Sequence, residues 1–130
     1  MKVTGFDHVT VVTPGELEDE TVAWYTGVLG LVRLTKPEGA RPRGAWFAAG
    51  DVQVHVSVDE HNPPRTAHFG LLVDDFDELI ARLRAAGCHI EQARPIPGRH
   101  RCYTRDPAGN RIELASFDEH PADVVYEERA

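Results

Sequence analysis

The sequence predicts an α+β fold made of two similar halves, each running strand–helix–strand–strand–strand and packed with the other as one domain. Three observations point to it. Segments rich in β-branched and aromatic residues alternate with a helical spacing of apolar residues in the same order twice. Turn signals fall at corresponding places in the two passes. The length of 130 residues suits one compact domain and is short for two.

Residues 3–12 (VTGFDHVTVV) read as the first strand, ended by Pro14-Gly15. Glu16, Glu18, Asp19 and Glu20 then set negative charge at a helix N-terminus. Leu17, Thr21, Trp24 or Tyr25, and Val28 recur at helical spacing, and Gly30 stands where a C-terminal cap belongs, so a helix is expected over about 16–29. Leu31–Lys36, Gly44–Ala49 and Val52–Val58 follow as strands, with Gly50-Asp51 turning between the last two. The stretch 59–66 (DEHNPPRT) is a linker, because its paired prolines cannot donate ladder hydrogen bonds.

The pattern then restarts. Thr66–Val73 reads as a strand, and Asp74 or Asp75 caps a helix with Phe76, Leu79, Ile80, Leu83 and Ala86 on one face, ended by Gly87. Cys88–Ala93, Arg99–Arg105 and Asn110–Ser116 complete the second half. The expected organisation is one domain over 1–116, with a first module at about 3–58 and a second at about 66–116, joined by the linker. An internal duplication is the simplest account. Residues 117–130 form an acidic tail that drapes over the domain, packs on a partner or is disordered at its end.

A formal net charge of −7 argues against nucleic acid as a partner. No apolar run approaches the roughly 20 residues of a membrane helix. The opening MKVTGFDHVT lacks the apolar core of a secretion signal, so a cytoplasmic location is expected. Cys88 and Cys102 form neither a disulfide framework nor a CxxC motif and read as small buried thiols.

Laying the halves side by side isolates a chemical constellation. His8 and His68 lie in the first strands of the two halves, 60 residues apart; His55 and Glu113 lie in the last strands, 58 apart. His, Asp, Glu and Cys make up fewer than a quarter of the chain, so four ligand types at two pairs of repeat-related positions is a strong signal. Strand parity adds to it. In VQVHVSV the four valines share one face and Gln53, His55 and Ser57 the other; in NRIELAS Ile112 and Leu114 oppose Arg111, Glu113 and Ala115. The apolar face should pack under the helices and the other should line a cavity. Three imidazoles and a carboxylate suit one divalent ion among Zn, Ni, Fe, Co and Mn, whereas Ca²⁺ prefers oxygen ligands. His61, His89, His100 and His120 have no repeat partner and read as surface or supporting residues.

The segments FDHVTVV, AWYTGVLGL, VQVHVSV, AHFGLLV, a helix ending in AAG, and YTRDPAGNRIEL resemble the vicinal oxygen chelate superfamily, over residues 5–116. That superfamily includes glyoxalase I, the fosfomycin and bleomycin resistance proteins, extradiol dioxygenases and methylmalonyl-CoA epimerase. The resemblance implies paired βαβββ modules whose curled sheets enclose a metal-centred cavity, with metal positions falling on His8, His55, His68 and Glu113. It also implies substrate chelation through neighbouring oxygens, with the metal as Lewis acid. Glyoxalase I usually has a carboxylate or glutamine where this chain has His55, and no glutathione-binding set is recognisable.

Other cavity candidates are Arg99, Arg101 and Tyr103, which share a face, and Trp46, which opposes Phe47 across its strand. An arginine there would neutralise a substrate carboxylate or phosphonate, or else form an ordinary salt bridge. Trp24 and Tyr25 read as helix-to-sheet packing. The first functional expectation is a glyoxalase-like lyase or isomerase acting on a small polar molecule through an enolate-type intermediate, with Glu113 or His55 moving the proton. A non-haem Fe(II) ring-cleaving dioxygenase, with His55 as a free base, and a bleomycin- or fosfomycin-resistance-type protein are the alternatives. A homodimer is expected, because half-barrels leave strand edges open.

Overall fold

The computed structural model describes residues 1–118. Its elements are β1 (His8–Thr13), a 3-10 turn (Gly15–Leu17), α1 (Glu18–Gly27), β2 (Val32–Leu34), β3 (Ala45–Ala49), β4 (Val52–Val58), β5 (His68–Leu72), α2 (Phe76–Ala85), β6 (Glu91–Gln92), β7 (Arg99–Arg105) and β8 (Arg111–Phe117). The two halves repeat down to sheet order: β1-β4-β3-β2 in one four-stranded sheet and β5-β8-β7-β6 in the other. In each, the first strand pairs in parallel with the last and the remaining pairs are antiparallel. The acidic tail beyond residue 118, with His120, lies outside the described residues.

Strand lengths follow from what each strand can pair with. β1 begins at His8 rather than residue 3 because its partner β4 begins at Val52, with His8 opposite Gln53 and Asp7 O accepting from Gln53 N at 3.2 Å. Upstream, Val3 and Phe6 are exposed. β2 stops at Leu34, ahead of Pro37, which cannot donate to a ladder. β6 shrinks to two residues because Cys88 N is drawn back onto Leu83 O at the end of α2. The expected first helix is divided into the 3-10 turn and α1. Asp75, rather than Asp74, caps α2, its carboxylate accepting from Glu78 N at 3.0 Å. Gly50 and Gly109, in the corresponding turns before β4 and β8, both take positive φ, 61° and 87°.

Both sheets turn their apolar faces to a shared core. Val11, Phe47, Val54 and Val56 of the first sheet meet Cys102, Ile112 and Leu114 of the second, with Trp24, Tyr25, Leu79 and Leu83 supplied by the helices. A buried polar clasp ties the modules together. Tyr25, fully buried on α1, donates its hydroxyl to Asp106 Oδ2 at 2.7 Å in the β7–β8 turn. Asp106 also accepts from Ala108 N, Asn110 N and Asn110 Nδ2, and Asn110 Nδ2 reaches across to Val12 O at 2.8 Å. Asn62 of the linker bridges the same gap, donating to Val12 O and Ala108 O. Among the described residues, no helix is long and apolar enough to cross a membrane.

Candidate metal centre and adjoining cavity

Register places the four ligand candidates in matching geometry. His8 faces Gln53 across the parallel β1–β4 pair, so His55 stands two residues further along β4, opposite Thr10. His68 faces Arg111 across β5–β8, so Glu113 stands two residues along β8, opposite Gly70. The antiparallel neighbours match as well: Trp46 faces His55, and Tyr103 faces Glu113. Each module therefore presents a donor pair backed by an aromatic residue.

In the first module the pair is stacked. The His8 and His55 ring centroids are 4.0 Å apart, and Trp46 lies against His55 at 4.1 Å with an interplanar angle of 1°. His55 is buried, and its Nε2 hydrogen-bonds to Gln53 Oε1 at 2.9 Å. Because an amide oxygen only accepts, Nε2 carries the proton and Nδ1 the lone pair in this arrangement. Burial, then the neighbouring His8, pushes the His55 pKa below its ordinary value and keeps the ring neutral. His8 is more open and hydrogen-bonds to Asp7 Oδ2 through Nδ1 at 2.7 Å. That contact uses Nδ1 and leaves Nε2 as the ring's other nitrogen, the arrangement a histidine would need to ligate a metal.

In the second module His68 Nε2 lies 3.6 Å from Glu113 Oε2, and His68 Nδ1 is 3.1 Å from Thr66 O. Arg101 Nη1 donates to the other carboxylate oxygen, Glu113 Oε1, and Arg101 Nη2 donates to Arg94 O at 2.7 Å. Oε1 of Glu113 is thus committed to Arg101, while Oε2 faces His68 beyond hydrogen-bond distance. Tyr103 meets His68 edge-on at 5.0 Å and carries the Arg111 guanidinium over its ring at 3.7 Å. Arg99 lies over the Phe117 ring at 4.6 Å.

The two donor pairs are held apart. Among the described residues, no three His, Cys, Asp or Glu side chains gather into a metal-ligating group within the chain. His8 with His55 is one cluster, and His68 with Glu113 is another. The donor chemistry suits a first-row divalent ion, since both clusters present imidazole nitrogen and one adds a carboxylate. Of the remaining histidines, His61, His89 and His100 are exposed, with His100 Nε2 3.2 Å from Asp118. Cys102 is buried and its thiol pushed up by desolvation, then by Glu113; Cys88 accepts from Trp24 Nε1 at 3.3 Å. Both thiols are packing residues.

Two openings adjoin these clusters. A cavity of about 480 Å³ includes His8, His55, Trp46, Lys36 and Arg41 in its lining. A larger, mostly apolar groove of about 960 Å³ runs along the edges of β1 and β5, with Phe6, Val32, Leu72 and His68 in its walls. Lys36, Arg41 and Gln53 escaped sequence reasoning. Gln53 was within reach of strand parity, being two residues from His55 on one face, whereas the two cations enter from a loop that has no period to read.

The chain matches the family model of the Glyoxalase/Bleomycin resistance protein/Dioxygenase superfamily over residues 5–114 and belongs to that superfamily. Within it, an uncharacterized protein of Pseudomonas aeruginosa is 30% identical over 110 residues, spanning 75% of this chain and 79% of that protein. The crystal structure of a glyoxalase family protein from Bacillus anthracis superposes with a TM-score of 0.82 at 34% identity, covering 90% of this chain and 98% of that one. The fosfomycin resistance protein FosX of Listeria monocytogenes, solved with Mn(II) and 1S,2S-dihydroxypropylphosphonic acid, shares the fold with a TM-score of 0.73 at 16% identity, covering 89% and 94% of the two chains.

Proposed function

We propose that this protein is a metal-dependent enzyme of the glyoxalase-like lyase and isomerase type, acting on a small polar substrate, with a centre assembled between two copies of the chain. The observation that carries the reading is the repeat-equivalent placement of two donor pairs, His8 with His55 and His68 with Glu113, at one register position in each module. In the FosX complex a relative of the same fold is found with Mn(II). His8 and His55 of one copy and His68 and Glu113 of the other would hold one Zn, Ni, Fe, Co or Mn ion. When bound, that ion supplies Lewis acidity to neighbouring substrate oxygens.

The homodimer follows from the same geometry. β1 and β5 are each the end strand of their sheet, and an open strand edge seeks a partner. Phe6, Val32 and Leu72, 81%, 68% and 62% exposed, border the groove between those edges. A twofold axis laying the edges together would cover these side chains and bring each donor pair to its complement.

The chain's own residues do the remaining work. Asp7 fixes the His8 ring, and Gln53 and Trp46 hold His55 in place. Arg101 takes one oxygen of Glu113 and leaves Oε2 directed at His68. With the His55 lone pair given to the ion, Glu113 would be the group that moves a proton. His55 acting as an unligated base would instead suit ring-cleaving oxygenation. The test is reconstitution of the purified chain with Mn²⁺, Fe²⁺, Co²⁺, Ni²⁺ and Zn²⁺ in turn. One bound ion per chain in a dimer, lost in a His68→Ala, Glu113→Gln variant, is the expected result. Absence of stoichiometric binding of every ion would sink the reading, and oxygen uptake with catechols would turn it to the dioxygenase.

A further inference from the structure

The cavity beside His8 and His55 has a charge unlike that of the chain around it. The protein carries a net charge of −7, yet Lys36, Arg41 and Arg43 line this cavity and no carboxylate does. Their charges are not equally spent. Arg43 is paired with Glu18, Nε to Oε1 at 2.8 Å. Lys36 Nζ donates to two backbone carbonyls, Arg41 O at 2.9 Å and Arg43 O at 2.5 Å, which fixes the loop between β2 and β3 without neutralising the ammonium. The Arg41 guanidinium has no hydrogen bond or ion pair among the described residues. Asp7, a carboxylate bound to a lining residue, is committed to His8.

The rest of the lining is mostly apolar. Besides Thr10 and Ser57, it consists of Trp46, Pro42, Ala40, Val56 and Val58, which share the cavity with the cations and the two imidazoles. The arginine on the other module cannot supply a positive charge here, because Arg101 is spent on Glu113 and Arg94 O.

We infer that this cavity is the substrate pocket and that it takes a small organic oxyanion, a carboxylate or phosphonate with an apolar body. Lys36 and Arg41 receive the anion, and Trp46 and Pro42 receive the body, with the rest of the molecule toward His8 and His55. A guanidinium with two unspent edges matches an oxyanion's paired oxygens, and an ammonium adds a point charge. Naming the substrate class rests on the proposed function only for what happens to the bound anion; the binding itself needs no metal.

The experiment is calorimetric titration of the full chain, before and after metal reconstitution, with phenylacetate, benzylphosphonate and neutral benzyl alcohol. Both anions should bind the metal-free protein at least about tenfold more tightly than the alcohol. Arg41→Met should weaken both anions about tenfold and leave the alcohol unchanged, and added salt should act in the same direction. Lys36→Met should do likewise, with Lys36→Arg, which keeps the charge, restoring most of the affinity. Trp46→Leu should weaken all three ligands. A preference for phenylacetate over benzylphosphonate, or the reverse, identifies which oxyanion the pocket suits. Anions that bind no better than the alcohol, or that ignore Arg41→Met and Lys36→Met, would overturn the inference even in a protein that loads metal normally. Charge-dependent anion binding in a chain that takes up no metal would uphold the inference while the enzymatic reading fails.

Discussion

Replacing Tyr25 by Phe isolates one of the bonds that join the two modules. The ring is fully buried and its contacts with Trp24 and Phe47 survive the change; only the hydroxyl on Asp106 Oδ2 is lost. The Tyr25 hydroxyl, two backbone N–H groups and the Asn110 amide all donate to Asp106, which favours its carboxylate form over the acid. A hydrogen bond to a charged group contributes about 1.5–3 kcal/mol. At roughly 4 °C per kcal/mol for a domain of this size, the melting temperature should fall by about 6–12 °C.

The loss should also depend on pH with a definite sign. Burial raises the Asp106 pKa, and the hydrogen bonds from Tyr25 and Asn110 oppose that rise. With the folded value above the unfolded one, the folded state holds this proton more tightly. The group's stability contribution is therefore fullest below the ordinary carboxylate pKa and is lost as pH rises through the folded value. Tyr25→Phe removes one opposing bond and raises the folded pKa further, so its penalty is largest at neutral pH and shrinks on acidification toward about pH 4. Circular-dichroism melts of both proteins across that range measure it. A drop below about 2 °C at neutral pH, or a penalty that grows as pH falls, would refute the assignment.

Three further outcomes are expected. Mixing His8→Ala with His68→Ala chains, each unable to complete a centre alone, should regenerate about a quarter of the wild-type metal sites through mixed dimers; elemental analysis checks it, and no recovery would place each centre within a single chain. Leu72→Glu should convert the proposed dimer to monomer by light scattering and abolish metal uptake with it, because the charge falls in the groove beside His68. Gly44→Ala should lower stability by on the order of 3 kcal/mol in urea titration, since Gly44 has φ 82° and an added Cβ would sit 2.1 Å from Val56 O.

What the sequence disclosed was whatever repeats or alternates. β4 and β7 were legible to the residue, because VQVHVSV and RHRCYTR are bounded by turns and carry clear parity. Ligand candidates emerged from matching one half to the other, and Trp46 and Phe47 do divide between site and core. Distance between the halves was not legible, since parity fixes a side chain's face but not how far two sheets stand apart. Arg101 reads from sequence as a group for a substrate oxyanion or for an ordinary salt bridge; it makes the salt bridge, with Glu113, as follows from β7–β8 register, which sets Tyr103 opposite Glu113 and Arg101 one same-face step away. Tyr25 and Asp106 are 81 residues apart and obey no local rule, so their bond had no signal in the chain.

The stack of Trp46 on His55 gives that imidazole a built-in optical reporter. Trp24, the other tryptophan, is buried with its Nε1 on Cys88 Sγ and its ring edge-on to Tyr25, and among the described residues makes no ring contact with His8 or His55. Trp46 lies flat on a ring that is neutral here, and an indole loses emission to an adjacent imidazolium far more readily than to a neutral imidazole. Protonation, ligation or displacement of His55 would each change the brightness or colour of a single residue. The chemistry of His55 can therefore be followed in solution without a substrate in hand.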